Sequence, residues 1–442
     1  MVDLMPLITP FLAMRAAGTG SAGQAAGCEA GAGPRRVRPW KIAWLARGDE
    51  SHGIAQAMRG LIAASVPLGV EPVVLAFGQG RFCEEARGAG WPVRVLGLRF
   101  PAMLAGSVFR KGVGYVRLQY QARALAGPVE RALRDAEAQA VHVLWPTLVP
   151  PAGRAAASAG IPCLWEMPNA VGPLWGGLKA HILRSVLARY RVVALANSQY
   201  TLASLGTARA SARLFYLGAD SSRFFPDRPD AVSRALLGIP ADAVVLVVTS
   251  ILIAEKGHEV ALRAMASLAA EANLHLVIVG GPLGTGYHQH LLELARVLGQ
   301  GGRVHFVGEV PDPERYYGLA DVAVNARVDP EPFGLSVIEG MMAGRPVLAH
   351  ALGGPAETVL DGVTGWHVQD ASAEAFAVGL RRALRDRPKW PEMGRAARQR
   401  AMGEFEVGLQ ARRYVGILDD LLGCAPGLGV DATSVDKPVG GS

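Results

Sequence analysis

The chain has 442 residues, half of them hydrophobic, with 45 basic against 38 acidic side chains and a net charge of +7. That length suits about two domains of ~150 residues each, with large buried cores. The basic excess favours an anionic partner (a nucleotide, an acidic lipid surface or a nucleic acid) and equally fits a basic surface with no specific role. The four cysteines, Cys28, Cys83, Cys163 and Cys424, are scattered and form no C-x-x-C pair, which speaks against a disulfide framework or a zinc site and for reduced thiols in a cytosol.

From the start, Met1–Ala17 is mildly apolar but broken by Asp3, Pro6, Pro10 and Arg15, too short to span a membrane. The Gly-, Ala- and Ser-rich run that follows makes 1–38 a disordered arm, and 424–442 reads as a disordered tail. No other apolar run is long enough to span, so a soluble or peripheral protein is expected. Between the tails, short β-branched runs alternate with helical stretches. Strands are expected at Lys41–Ala46, Glu71–Phe77, Ala140–Trp145, Ile161–Glu166, Val192–Ala196 and Arg213–Leu217. A second series follows at Ala243–Thr249, Leu274–Gly280, Arg303–Val307, Val322–Asn325 and Pro346–His350. Helices are expected near Gly53–Ala64, Gly257–Leu268, His288–Leu298, Leu335–Ala343 and Glu374–Leu384. Continuous apolar strands between helices indicate parallel sheets buried on both faces. Two such series make an α/β protein of two Rossmann-like, doubly wound domains, 39–218 and 219–405. A helix at 406–423 is expected to return to the first domain, and Asp419-Asp420 on it reads as a solvated face.

Open parallel sheets bind ligands beyond the carboxyl ends of their strands. In the second domain that edge carries the densest constellation, running from Asp329 to His350. Pro330 and Pro332 stiffen a loop that presents Glu331. Gly334 enters a helix whose first amides, about Gly334 to Ser336, have no intrahelical partner and favour a phosphate. Glu339 follows about one turn later. A loop carboxylate can accept bonds from sugar hydroxyls, the amides can hold a diphosphate, and the second carboxylate can take ribose hydroxyls. The plain alternative is two ordinary glutamates, one at a helix start and one solvated. Lys256, just before another helix start, can pair with the diphosphate, although most lysines are simply solvated. Leu352-Gly-Gly-Pro-Ala-Glu357 is a third anion-suited turn on the same edge.

These pieces carry a resemblance. Glu255-Lys-Gly-His258, Ile278-Val-Gly-Gly-Pro282, Ala320-Asp-Val322, Glu331-Pro-Phe-Gly-Leu through Glu339 with seven residues between the glutamates, and Gly344-Arg-Pro-Val347 follow in order. Gly353-Gly354…Glu357 and Asp361-Gly362…Gly365 complete the set. The stretch from Leu246 to about Val368 resembles retaining glycosyltransferase family 4, of GT-B architecture. Upstream, Tyr216-Leu-Gly-Ala-Asp…Phe225-Pro226 resembles that family's hinge. The resemblance implies transfer of a sugar from a UDP- or GDP-linked donor to a glycan or lipid-linked acceptor, with retention and no required metal or cofactor. It implies a cytoplasmic place in bacterial polysaccharide or lipopolysaccharide synthesis, with no nucleic-acid partner. It further implies that Glu331 and the amides of Phe333, Gly334 and Leu335 contact sugar and phosphate, that Glu339 binds ribose, and that Lys256 binds diphosphate.

The chain departs from the family's pattern in places. Where the family often has an arginine before the lysine there is Ile251, and Arg327 is the basic residue that would compensate. Where the family's first domain often carries a histidine near the reacting carbon, the register places Leu144. His142, on the same face of the strand, is the catalytic candidate, against a buried structural histidine. The first domain's glycine loop is reduced to Gly53. Glu166 and Asn169, at a strand end, are acceptor-binding candidates, against a loop-stabilising pair. Between Ala86 and Pro128, Arg87, Arg94, Arg99, Arg110, Lys111, Arg117 and Arg123 interleave with Phe100, Phe109, Tyr115 and Tyr120. That is a surface suited to an anionic leaflet or simply a basic face near an anionic cleft. The competing functions are a non-catalytic sugar-nucleotide-binding subunit and a sugar-nucleotide epimerase. A nicotinamide enzyme is disfavoured because the first strand leads into Arg47-Gly-Asp-Glu50 rather than G-x-G-x-x-G.

Overall fold

The structure, a computed structural model, describes residues 39–50, 52–101, 108–172 and 178–423. The arm 1–38, the tail 424–442 and the 102–107 part of the basic stretch lie outside the described residues.

The first sheet contains β1 (Trp40–Ala46), β2 (Val70–Ala76), β3 (Val93–Val95), β4 (Ala140–Val143), β5 (Cys163–Met167), β6 (Val193–Ala196) and β7 (Ala212–Leu214). The second contains β8 (Val244–Thr249), β9 (Leu274–Val279), β10 (Val304–Gly308), β11 (Val322–Asn325), β12 (Val347–His350) and β13 (Gly365–Val368). Their orders are β3-β2-β1-β4-β5-β6-β7 and β10-β9-β8-β11-β12-β13, with parallel pairing throughout. In each sheet the order reverses beside the first strand, between β1 and β4 and between β8 and β11, which opens a crevice at that point. The helices of the first half are α1 (His52–Ser65), α2 (Arg81–Gly88), α3 (Val108–Asp135), α4 (Val149–Ala159), α5 (Leu178–Arg189) and α6 (Gln199–Ser204). Those of the second are α7 (His258–Ser267), α8 (Gly286–Val297), α9 (Glu314–Tyr317), α10 (Leu335–Met342), α11 (Pro355–Thr358), α12 (Ala373–Arg385), α13 (Trp390–Glu404) and α14 (Val407–Leu422).

The strands are β-branched and apolar because helices cover both faces. In β9 every residue of Leu-His-Leu-Val-Ile-Val is buried. Two edge strands, β3 and β13, and several helices, the long α3 among them, are not among the expected elements. The strands are only three and four residues long. Pro128 and several glycines interrupt the apolar periodicity of α3. β4 stops at Val143, short of the expected Trp145, because Pro146 opens a turn of 3-10 helix there.

α14 follows the second sheet in sequence, yet Ala411, Tyr414 and Leu418, three and four residues apart on one helix face, join the core around Ile42, Trp44 and Met58. Tyr414 is fully buried. Its ring lies 5.7 Å from Trp44 and 6.0 Å from Phe215, and its hydroxyl is 3.1 Å from His142 Nδ1. Asp419 is not a free solvated carboxylate: it accepts a 2.9 Å bond from Trp40 Nε1. Tyr414→Ala is expected to cost on the order of 3–5 kcal/mol, as for other buried aromatic truncations. Tyr414→Phe, which loses only the hydroxyl bond, should cost about 1 kcal/mol. Urea denaturation followed by fluorescence checks both.

Candidate functional site

The carboxyl ends of both sheets face one cleft of about 540 Å³. Its second-domain wall is built around the entry to α10. Gly334, with φ +91°, caps that helix in the left-handed region. A side chain there would press on Val337 and Glu331. The preceding loop is seated on Gly353 and Gly354. The Gly354 amide donates to Glu331 O at 2.7 Å. A Cβ on Gly353 would lie 2.1 Å from that oxygen, and one on Gly354 would lie 2.4 Å from Phe333 Cα. This glycine turn therefore supports the Glu331 loop from beneath. It does not line the cleft as a third anion turn. Glu357, just beyond it, is occupied by the first domain, accepting from Gln199 N at 2.8 Å and Tyr216 OH at 3.0 Å.

Lys256 ends a turn of 3-10 helix, and Gly257 lets that turn close on the chain beyond β11. A Cβ on Gly257 would sit 1.8 Å from Ala326 O, and Val328 N donates to Glu255 O at 3.0 Å. This backbone contact puts Lys256 beside Arg327, and both reach Glu331. Lys256 Nζ lies 3.1 Å from Oε2 and Arg327 Nη1 lies 3.3 Å from Oε1. Asn325 Nδ2 donates to Oε2 at 3.5 Å. The Arg327 guanidinium is fixed by Asp329, which accepts from Nε at 2.5 Å and Nη2 at 3.0 Å. Ile251 lines the same cleft, so the basic residue at this wall besides Lys256 is Arg327.

Glu339 faces the cleft from α10 and accepts a 3.3 Å bond from Tyr317 OH. Burial pushes its carboxyl up to about 7, with Arg223 and Tyr317 opposing and Glu314 reinforcing the rise. Phe333 turns its ring away from the cleft, between Tyr216 and Phe405 at 5.9 Å from each. Phe333, Gly334 and Leu335 all line the cleft. On the first-domain wall, Gly53 stands at the start of α1, where an added Cβ would lie 3.4 Å from Leu335 Cδ1. Asn169 also lines this wall.

Two expected residues are not brought there. His142 and Glu166 are buried beneath the sheet edge and pair with each other, Nε2 to Oε2 at 3.2 Å. With Nδ1 on Tyr414 and the ring stacked 4.1 Å from Trp44, His142 sits in the α14 core contact and not in the cleft. The physical reason is depth along the strand: His142 shares the face of Leu144 but lies two residues short of the carboxyl edge, where α14 covers it. Leu144, just beyond the strand, lines the cleft. Glu166 follows its partner inward because a buried carboxylate needs a donor.

Other groups take roles that the sequence pattern did not assign to them. Glu50 is buried and accepts from Arg47 N at 2.5 Å, Gly48 N at 2.8 Å and Trp145 Nε1 at 2.8 Å, so it shapes the first-domain wall. Ser250 shares a 2.9 Å hydrogen bond with His258 Nε2. Burial drives that imidazole down to about 4, with Lys256 adding to the fall, so it is neutral at pH 7. The Glu50–Trp145 bond joins residues far apart in sequence, so it forms only in the folded chain.

Residues 231–400 match the family model described as glycosyl transferases group 1. That segment belongs to the glycosyl transferases group 1. A D-inositol 3-phosphate glycosyltransferase from Streptomyces avermitilis is 36% identical over 202 residues, covering 44% of this chain and 43% of that protein. A GDP-mannose-dependent alpha-(1-6)-phosphatidylinositol monomannoside mannosyltransferase from Mycolicibacterium smegmatis is 32% identical over 235 residues, 50% of this chain and 60% of that one. The chain thus spans about half the length of the curated relatives it matches. Among solved structures, Anabaena HepE in complex with UDP and glucose superposes with TM-score 0.72 at 22% identity, covering 86% of this chain and 100% of that one. Sucrose-phosphate synthase from Thermosynechococcus elongatus superposes with TM-score 0.68 at 19% identity, covering 87% and 99%. The fold of this chain is GT-B.

The raised Glu339 carboxyl has a consequence for stability. An unfolded glutamate ionises near 4.5 and the folded one near 7, so between those values the folded protein holds the extra proton. Stability is therefore lost as pH rises across that window. Glu339→Gln is expected to flatten the fall in thermal midpoint between those two pH values, measured by scanning calorimetry.

Proposed function

We propose that this protein is a retaining glycosyltransferase that moves a sugar from a UDP- or GDP-linked donor to a glycan or lipid-linked acceptor. The observation that carries the reading is the α10 entry. A carboxylate loop, free helix-start amides and a second carboxylate lie in sequence along one cleft wall, with Lys256 and Arg327 beside them. The UDP and glucose of the HepE complex and the GDP-mannose in the mannosyltransferase's name fit the same donor chemistry.

In this reading Glu331 takes hydroxyls of the donor sugar, and the amides of Phe333, Gly334 and Leu335 hold sugar and phosphate. Glu339 accepts from the ribose. As the bond between the anomeric carbon and the diphosphate oxygen breaks, Lys256 and the helix start stabilise the charge on the leaving group. These fixed charges do the work a metal would otherwise do, so no metal is required. The acceptor oxygen bonds the anomeric carbon. With His142 held beneath the sheet, the proton of the acceptor hydroxyl passes to the departing diphosphate oxygen. Asn169 and the Glu50–Trp145 wall face the acceptor side. Approach of the two walls excludes water. Polysaccharide synthesis in the cytoplasm is the setting that suits such an activity.

Calorimetric titration with UDP, GDP, ADP and NAD tests the donor site. One nucleoside diphosphate should bind selectively, more weakly in Lys256→Ala and Glu339→Ala. NAD binding alone, or no binding, overturns the reading. Glu331→Ala should retain nucleotide binding and lose transfer, and wild-type transfer should survive EDTA. The position of His142 outside the cleft favours a non-catalytic binding subunit as the second reading. Formation of a new glycoside in a product assay decides against it.

A lipid-linked acceptor would bring the basic stretch to a membrane. Arg117, Tyr120 and Arg123 are exposed three residues apart along α3, which aligns them on one helix face. Sedimentation should show binding to vesicles containing anionic lipid and not to neutral ones. Equal binding to both, or to neither, removes the membrane role.

A further inference from the structure

Three charged groups meet at the donor wall. Glu331 is all but buried, and each of its carboxylate oxygens faces a different cation: Oε2 faces Lys256 Nζ at 3.1 Å and Oε1 faces Arg327 Nη1 at 3.3 Å. The cations come from separate turns, one after β8 and one after β11, locked together by the Gly257–Ala326 backbone contact. Arg327 is held by Asp329 through Nε and Nη2, so Nη1 is the nitrogen aimed at Glu331. Both cations and Glu331 line the cleft next to the α10 entry.

A diphosphate is an anion that seeks the same two cations. Lysine supplies a mobile point charge, and arginine supplies a planar fork suited to phosphate oxygens. A phosphate arriving here competes with the Glu331 carboxylate, and close approach of two anions without a cation between them is unfavourable. We propose that Lys256 and Arg327 form a two-cation clamp for the donor's diphosphate, and that the diphosphate takes over these cations from Glu331 and so frees its carboxylate for the donor sugar. Arg327 is thereby a donor-binding residue in its own right. Glu331 becomes a counter-ion whose release couples binding of the phosphates to positioning of the sugar. This inference rests on the nucleotide-sugar reading above and adds the exchange of partners.

The exchange makes an uncommon forecast, because removing a binding-site charge should improve one ligand and spoil another. Glu331→Gln keeps the shape of the side chain and deletes the competing anion. UDP or GDP should bind it more tightly than wild type, while transfer from the sugar nucleotide falls sharply. Arg327→Ala should weaken the nucleoside diphosphate roughly tenfold or more, the effect of one lost charge-assisted hydrogen bond. It should leave the parent nucleoside (uridine or guanosine) unchanged. Arg327→Gln, which retains donors for Asp329, serves if the alanine variant unfolds, and should show the same selective loss. Titration calorimetry on the full chain reads all of these.

Equal loss of nucleoside and diphosphate in the Arg327 variants makes Arg327 a structural support and overturns the clamp. Weaker diphosphate binding in Glu331→Gln overturns the exchange. If wild type binds neither UDP nor GDP, the nucleotide-sugar reading itself fails and the clamp falls with it. If wild type binds one of them and both sets of variants match wild type, only the clamp fails.

Discussion

The two sheets are held in register by a crossing of the chain with itself. The Ala219 amide donates to Phe405 O at 2.9 Å, and the Val407 amide donates to Ala219 O at 3.1 Å. The chain leaves the first sheet and comes back toward it at this one place. Gly218 allows it, since a Cβ there would lie 2.6 Å from Val407 Cα. Around it Tyr216, Phe333 and Phe405 pack ring against ring. The entry to α10 is therefore braced directly on the crossing.

From that brace the polar contacts spread outward. Ser198 Oγ donates to Pro332 O at 2.5 Å, and Glu357 accepts from Gln199 and Tyr216, so the first domain grips the Glu331 loop from behind. The loop's front carries its ion pairs with Lys256 and Arg327. A mobile loop would pay side-chain entropy each time it met a ligand. A loop gripped from behind presents its carboxylate in a fixed place. The burial that lifts Glu339 to about 7 comes from the same close packing of α10 beneath the cleft.

Much of the architecture was legible in the sequence because parallel strands buried on both faces must be apolar runs. The series from Lys41 to Leu217 and from Ala243 to His350 show those runs. Several elements escaped, among them segments whose pattern is short or diluted: Val93–Val95, Gly365–Val368 and the Pro128-containing α3. The α10 entry was legible as well, since Pro330, Pro332 and Gly334 announce a stiff loop feeding a helix. For His142 and Glu166 a functional and a structural role both stayed open, because the layer that covers a strand face is not a local property. Here that layer is α14, arriving from the far end of the chain.

The sequence by itself determined the two doubly wound sheets, the edge at which a ligand would sit, and the Glu331–Glu339 helix start. Each of these follows from local periodicity and backbone stereochemistry. Only the tertiary structure decided that His142 belongs to a core contact with Tyr414, that Glu50 and Trp145 shape the opposite wall, and that Lys256 and Arg327 share one carboxylate. Those facts depend on contacts between segments remote in sequence, such as Gly257 against Ala326 and α14 against β1. Hydrogen bonds and ion pairs across such distances are set by packing, and packing has no local signature.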